Sequence, residues 1–574
     1  MSNRLNLANI YQRIESAVLD RYDLTQVADW MCKNIKLKGR NLSFKGYEYQ
    51  KIILDSNTVS ELVIKKCSQV GISELMLMNS LAMCQLVDGF NIIYTLPTAT
   101  FAQNVMKTRV DPLIQGSPEL AQNIAKTLDN ASVKGFGNSH LYLNGTNSNN
   151  AVISVPADAI FVDELDFSDQ GMIEKLQSRL TASTYRWWRY FSTPTVENYG
   201  IDKKFKNTRR FYNFCKCVHC GHYFIPQYLE HVRIPGYKGD LLAITKPMLN
   251  VIDWKSATLF CPKCDKPVDL SIEHRQYVCE NPEDVGFEGE GYQVYPTDAP
   301  EVIKMSDLVL WSTGFDSKVQ FQNFHLGITA EDEDSGLNPD DFERMKLVGE
   351  QPLRGQKVFG IDLGIICHIV VAVTNGTDKL TALELHRVDY TDFEKTLQKL
   401  IRIHHPATIL SDSQPYVETI YRLQNSIRNL YGALYVANKS MELFRLLTTQ
   451  EDLSRATLKV RQVNINRNFA FNTLMDSIRE GYIGVVPNIP DINILAEQLQ
   501  DMRRVPNGTR QAFSDGADTA EVENYRWVKT SGNDHFHHAL LYAYIAMFLV
   551  KHVPDMKHVS PLFCTSFKIK NQNL

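Results

Sequence analysis

Three short runs place phosphate-handling residue types in a telling order. The first is Lys66-Cys-Ser-Gln-Val-Gly71-Ile-Ser73, set between the apolar ELVI and the helix-forming ELMLMNSLAMCQL. An ordinary phosphate loop, G-x-x-x-x-G-K-[ST], cradles phosphates with backbone amides and a Lys while its hydroxyl reaches Mg2+. Here Lys66 stands at the first Gly position and Ile72 at the Lys position, so the loop keeps Gly71 and Ser73 and moves its Lys to the front. Alone, the run also suits an incidental strand-turn-helix. About 90 residues later, Ala159-Ile-Phe-Val162-Asp163-Glu164 ends an apolar strand in two acids. Asp163 can hold a hydrated Mg2+ and Glu164 can orient an attacking water, although plain strand ends carry acids too. Tyr190-Phe-Ser192-Thr193-Pro194-Thr195 then ends a strand in hydroxyls, suited to sensing a γ-phosphate or to capping a turn. The order of the three is more specific than any one of them.

A second set of acids lies in the C-terminal half. Val358-Phe-Gly-Ile-Asp362-Leu-Gly364 delivers Asp362 inside an apolar strand, where a carboxylate is costly unless it is paired or holds a metal. Ala407-Thr-Ile-Leu-Ser-Asp412 ends another strand in an acid, and Asn533-Asp534-His535-Phe-His537-His538 opens an apolar helix. Asp534 and His538 share a helix face, whereas His535 and His537 point elsewhere and read as packing or supporting groups. Two strand acids with an acid or imidazole from a helix can hold two Mg2+ or Mn2+ ions that clamp both oxygens of an in-line phosphodiester cleavage. Taken singly, Asp412 also suits a strand cap and Asp534 a helix-start charge.

Cys217-Val-His-Cys220 and Cys261-Pro-Lys-Cys264 are C-x2-C pairs separated by 40 residues. Each presents two thiolates, and together they would close a structural four-sulfur Zn2+ site. The gap exceeds the roughly 15 to 20 residues of compact sites. Cys215, Cys279, His219 and His222 are possible substitute ligands or plain packing residues. From Asp202 to Lys216, six bases with interleaved aromatics face one acid, which suits a phosphate-tracking surface or a solvated face.

These groups need strands and helices to hold them. From Phe44 to Thr195, short β-rich runs alternate with helical stretches, which predicts a largely parallel sheet covered by helices. A second α/β pattern starts at Lys357 and runs to about Val550. Between them, Glu331 to Asp341 carries six acids and no base and reads as a solvated linker. The chain has 574 residues, 44% hydrophobic and 22% charged, values that exclude a collagen-like, largely disordered or disulfide-scaffold protein. A net charge of −4 still permits nucleic-acid binding through a local basic groove. No secretory signal opens the sequence, and its longest apolar run, Ala539 to Val550, is 12 residues, too short to span a bilayer. An intracellular protein without membrane spans is expected.

Taken together, KKCSQVGISE, YTLPTATFAQ, IFVDELDF and STPT resemble the ATPase half of the large terminase subunits of tailed bacteriophages, which also place the loop Lys at its front. The C-terminal acids resemble the nuclease half of that family, and one branch of it carries paired CxxC knuckles after the STPT-like motif. The resemblance implies an α/β fold: an N-terminal helical segment (1–43), a P-loop NTPase domain of the ASCE type (44–197), a zinc-ribbon-like insertion (198–298), an acidic linker region (299–355), an RNase H-like nuclease domain (356–552) and a C-terminal tail (553–574). It implies ATP, with Lys66, Gly71 and Ser73 at phosphate, Asp163 at Mg2+, Glu164 at the water, Tyr49 and Gln50 at adenine, and Ser192, Thr193 and Thr195 coupling hydrolysis to movement. Arg109 and Arg179 are candidates for a charge-neutralising Arg. Asp362 and Asp412 would hold the nuclease Mg2+ or Mn2+, with Asp534, His538 or both as third ligand, because relatives differ at that pair. The implied partners are double-stranded DNA, a small terminase subunit, a portal protein and further copies in a ring, within the host cytoplasm. The two termini are where the small subunit and portal are expected. A helicase-like translocase fused to a nuclease is the alternative enzyme class.

Overall fold

The computed structural model describes residues 24–147, 155–283, 286–315, 317–332, 335–351, 354–374, 379–436, 443–447, 461–506, 525–530 and 532–552. Most of the expected N-terminal segment and the whole C-terminal tail, with the partner sites placed there, lie outside the described residues. The chain divides into two compact units: residues 1–332 with 506–517, and residues 333–505 with 518–574. The division falls inside the acidic stretch.

The first unit is built on a sheet whose centre is parallel. Its strands are β1 (Glu61–Lys66), β2 (Asn91–Leu96), β3 (Ser139–Gly145), β4 (Ala159–Asp163), β5 (Trp187–Ser192), β6 (Arg209–Lys216) and β7 (Glu290–Val294), in the order β6-β7-β1-β5-β4-β2-β3. All of these neighbours run parallel. Parallel strands are covered on both faces, which is why β4 and β5 are buried at every position. Antiparallel pieces extend both edges: Val133–Phe136 pairs with β3, and Tyr223–Phe224 and Arg275–Cys279 pair with β6. β5 sits between β1 and β4, so one additional strand separates the phosphate loop from its acids. This is the ordering expected of an ASCE-type NTPase. The helix α1 (Ile72–Leu86) follows the loop and buries Leu75 to Cys84 in the core. The expected insertion, 198–298, begins and ends in this sheet through β6 and β7.

In the second unit, β8 (Gln356–Asp362), β9 (Ile366–Thr374), β10 (Leu380–Asp389), β11 (Thr408–Asp412) and β12 (Leu430–Val436) lie in the order β10-β9-β8-β11-β12. β9 is antiparallel to both its neighbours, while β8, β11 and β12 are parallel. A three-strand meander followed by two parallel strands on the far side of the first is the RNase H-like arrangement. The helix α2 (Phe393–His404) belongs to the crossover from β10 to β11, and α3 (His535–His552) packs its apolar surface across β8, β9 and β11. Gly360 makes that seat possible, because a Cβ there would fall 1.9 Å from the Ala539 carbonyl oxygen. Gly360→Leu is therefore expected to lift α3, at a cost of about 1 to 3 kcal/mol. Faster amide exchange along 539–547 and a lower unfolding midpoint would register it; unchanged exchange would mean the helix does not depend on this contact.

Candidate active sites

Neighbouring parallel strands end at one edge of a sheet, which brings together residues that are distant in sequence. β1 ends in Lys66, β4 in Asp163 and β5 in Ser192. Lys66 Nζ donates to Glu164 Oε1 at 2.9 Å, and Ser73 Oγ donates to Asp163 Oδ1 at 2.9 Å. Tyr94 adds a third link, its hydroxyl donating to Asp163 Oδ2 at 2.9 Å. Burial, then the charge of Glu164, pushes the Asp163 carboxyl up to about 6. Burial also works against the Lys66 charge, but Glu164 and Asp163 outweigh it and hold the ammonium above its ordinary range. Glu164 has a left-handed backbone, φ 54°, a conformation that typically costs about 1 to 3 kcal/mol in a non-glycine residue and is common at functional sites. Its other oxygen faces Ser192 Oγ at 3.3 Å and the Thr193 amide at 3.4 Å, so Lys66, the acids and the hydroxyl run share one contact network.

The loop itself is braced from below. Gly71 has φ 69°, and a Cβ there would lie 2.7 Å from Gln50 Nε2. Tyr49 and Gln50 are buried and donate to the Val70 carbonyl at 2.6 and 2.9 Å, so their polar atoms serve the loop backbone. Ser68 Oγ, within the loop, is buried without a partner among the described residues, a hydroxyl suited to a phosphate oxygen. Arg109 is within electrostatic reach of Tyr94 and Glu74, whereas Arg179 lines a groove with Lys175 and Arg186.

The four paired cysteines converge. Cys217 and Cys264 sulfurs are 3.7 Å apart, as are those of Cys220 and Cys261, and all four lie within 4.8 Å of one another. A tetrahedron with metal–sulfur bonds of about 2.3 Å has edges of about 3.8 Å, so the cluster fits a closed Zn2+ site. The knuckles are built alike: Cys217 N donates to His222 O at 2.9 Å and Cys261 N to Lys266 O at 2.9 Å. Cys215 and Cys279 turn their sulfurs to Asp269 O and Asn281, outside this cluster.

In the second unit, β8 and β11 pair with Ile361 beside Ser411, which puts Asp362 and Asp412 side by side at the strand ends. Burial, then the Asp362 charge, pushes the Asp412 carboxyl up to about 6. The helix start contributes differently from the expected face. His535 Nδ1 lies 2.8 Å from Asp362 Oδ2, whereas helical spacing alone sets His535 apart as a packing or supporting group. Asp534 and His538 contact each other at 3.1 Å, and His538 Nδ1 meets the Tyr435 hydroxyl at 2.6 Å. Burial opposes the Asp534 charge, but the His538 hydrogen bond and charge, aided by Lys529, hold that carboxyl below its usual range. His537 is buried with both ring nitrogens unpartnered among the described residues.

Residues 47–278 match the family described as the phage terminase large subunit gpA, ATPase domain. The match begins just before the helix that carries Tyr49 and Gln50 and ends within the region of the paired cysteines. Among solved structures, the large terminase of bacteriophage HK97 is similar at 10% identity and a TM-score of 0.46, covering 90% of this chain and 98% of that one. The large terminase ATPase domain of Thermus phage P74-26 is similar at 13% identity and a TM-score of 0.30, covering 50% and 98%. The yeast mitochondrial Holliday junction resolvase Ydc2 is similar at 12% identity and a TM-score of 0.18, covering 36% and 88%. No curated protein matches the sequence. Among the described residues, no helix is long and apolar enough to cross a membrane.

The matched segment contains the loop, both acids, the hydroxyl run and all four paired cysteines. It also contains two residues that the motifs did not single out. Tyr94 is one; the YTLP run belongs to the motif set, but only the fold shows its hydroxyl reaching Asp163. Asp166 is the other, and it is fully buried. It accepts from Thr195 N at 2.9 Å, Thr195 Oγ1 at 2.7 Å and Ile201 N at 2.7 Å, and burial pushes its carboxyl up to about 7. The basic stretch is largely neutralised: Lys206 pairs with Asp202 at 3.0 Å, Arg210 with Glu280 at 2.8 Å, and Arg209 with Glu290. Such pairing favours the solvated-face reading over phosphate tracking. Asp166→Ala strips three donors of their acceptor and loosens the turn that follows Thr193, whose amide contacts Glu164. ATP turnover is expected to fall about 10-fold to 100-fold, with nucleotide affinity little changed; equal loss of binding would place Asp166 in the pocket instead.

Proposed function

We propose that this chain is the large subunit of a viral DNA-packaging motor, hydrolysing ATP to drive double-stranded DNA into a procapsid and cutting concatemers with its second unit. The observation that carries the reading is the single contact network of Lys66, Ser73, Asp163, Glu164 and Ser192 in a terminase-family ATPase segment, followed in the same chain by an RNase H-like unit with Asp362 and Asp412 at adjacent strand ends.

In this reading, phosphate at the loop competes with Glu164 for Lys66. Once the ammonium turns to phosphate, Glu164 is freed to orient water, and its contacts with Ser192 and Thr193 pass the change to Thr195 through Asp166. Ser73 and Asp163 are 2.9 Å apart and would hold a hydrated Mg2+, which supplies charge neutralisation at the transferring phosphoryl group. Tyr49 and Gln50 set the loop backbone at the base end. In the second unit, Asp362 and Asp412 would hold divalent ions that polarise the scissile phosphate and activate water. The four cysteines would hold a structural Zn2+. The small terminase subunit, the portal protein and further copies in a ring are the partners this role calls for, in the host cytoplasm.

Two substitutions separate the activities. Glu164→Gln is expected to retain ATP binding while turnover falls about 1000-fold, and Asp362→Asn to abolish metal-dependent plasmid cleavage while sparing ATPase activity. The packaging role is tested by DNA-stimulated ATP hydrolysis with and without procapsids; stimulation that ignores procapsids would point to a general translocase. Purified protein should contain about one zinc per chain, lost together with stability in Cys261→Ser; metal-free protein of unchanged stability would refute the four-cysteine site.

A further inference from the structure

The second unit gathers two imidazoles around Asp362, from elements the sequence did not connect. Asp362 and His368 are direct cross-strand partners in the β8–β9 pairing, so the hairpin itself sets them side by side. His535 arrives from the first residue of α3 and reaches Asp362 Oδ2 at 2.8 Å. The His368 and His535 rings stack, 4.7 Å between centroids and 13° between planes. One donor atom from each of the three residues lies within 4.8 Å of the other two.

His368 is not an ordinary core histidine. It is only 4% exposed, and its Nδ1 is buried with no well-formed hydrogen bond among the described residues, although the Ile366 backbone is within reach of the ring. The Phe536 ring stands edge-on to it at 4.7 Å and fixes its plane. On the other side, the His535 side chain is 41% exposed, so the cluster opens to solvent where a phosphodiester could approach. Stacking alone would account for neither the poorly bonded nitrogen nor the convergence of both rings on one carboxylate.

We propose that Asp362, His368 and His535 form one cation position with two nitrogen donors and one oxygen donor, which takes a first-row transition ion such as Mn2+ in preference to Mg2+. Imidazole suits such ions, whereas Mg2+ demands oxygen ligands and keeps its waters. Asp412, beside Asp362, is then left to an oxygen-rich second position. The two ions of the nuclease would differ in kind, an inference that rests on the nuclease reading above.

The test is binding to the full chain in nucleotide-free buffer, with Mn2+ as probe and Mg2+ as competitor. Wild-type protein should bind Mn2+ with 14N couplings in pulsed electron paramagnetic resonance and resist displacement by Mg2+. His368→Ala and His535→Ala should each weaken Mn2+ by about 10-fold to 100-fold and leave Mg2+ binding within about twofold. The wild-type couplings do not depend on whether a variant folds. Absence of nitrogen coupling in wild type, or Mn2+ affinity unmoved in both variants, overturns the proposal. Cleavage assays run alongside separate the two readings. Cleavage equal in Mg2+ and Mn2+ and indifferent to both histidines keeps the nuclease and removes this site. Nitrogen-coupled Mn2+ without cleavage in any ion keeps the site and removes the nuclease.

Discussion

A carboxylate at the buried end of an apolar strand has to be compensated, and both units are organised around that requirement. Withdrawing the charge from water costs several kcal/mol unless a cation, a set of donors or a metal replaces the lost hydration. In the first unit, the compensation is divided among neighbours. Asp163 takes hydroxyls from Ser73 and Tyr94, Glu164 takes the Lys66 ammonium, and Asp166 takes Thr195 and the Ile201 amide. Each acid is thereby tied to a different strand end or loop. A ligand that draws away one of these partners would disturb the others, and in the proposed motor that would link phosphate chemistry to movement.

The second unit meets the same requirement with fewer cations. Asp362 and Asp412 stand side by side, and the group that reaches Asp362 is an imidazole from α3. An imidazole can carry a proton, accept a hydrogen bond or ligate a metal, so this arrangement leaves room for an ion where a Lys would have closed it. The seat of α3 on Gly360 matters here, since a shift of the helix would carry His535 off Asp362.

The region around the paired cysteines has little of this layering. Its elements are short: two-residue strands, 3-10 helices of three to five residues and one four-residue α-helix, which bury little apolar surface among themselves. Val232, Ile234, Ile244 and Leu259 are buried against the first unit's core, the buried Arg275–Asp298 ion pair fastens the region to the parent sheet, and a closed tetrahedral site at the four cysteines would add a further fastening.

Much of both sites was legible in the sequence because their residues sit at fixed places in simple elements. A strand ending in Asp163-Glu164, a loop ending in Gly71-Ile-Ser73 and a pair of C-x2-C knuckles declare their geometry locally, and parallel neighbours then align their ends. What depended on docking was not legible. Helical spacing correctly put Asp534 and His538 on one face, where they pair with each other, but could not say which face meets the sheet; the packing of α3 against β8 directs His535 to Asp362. Tyr94 and Asp166 needed the third dimension for the same reason, since a strand or turn fixes its own side chains but not the neighbour across the sheet. His368 needed a hairpin register to stand opposite Asp362. The sequence by itself determined which chemical groups stand at the strand ends and in what order; the tertiary structure decided which of them touch, because strand order, register and helix seating arise from packing between segments that local periodicity does not record.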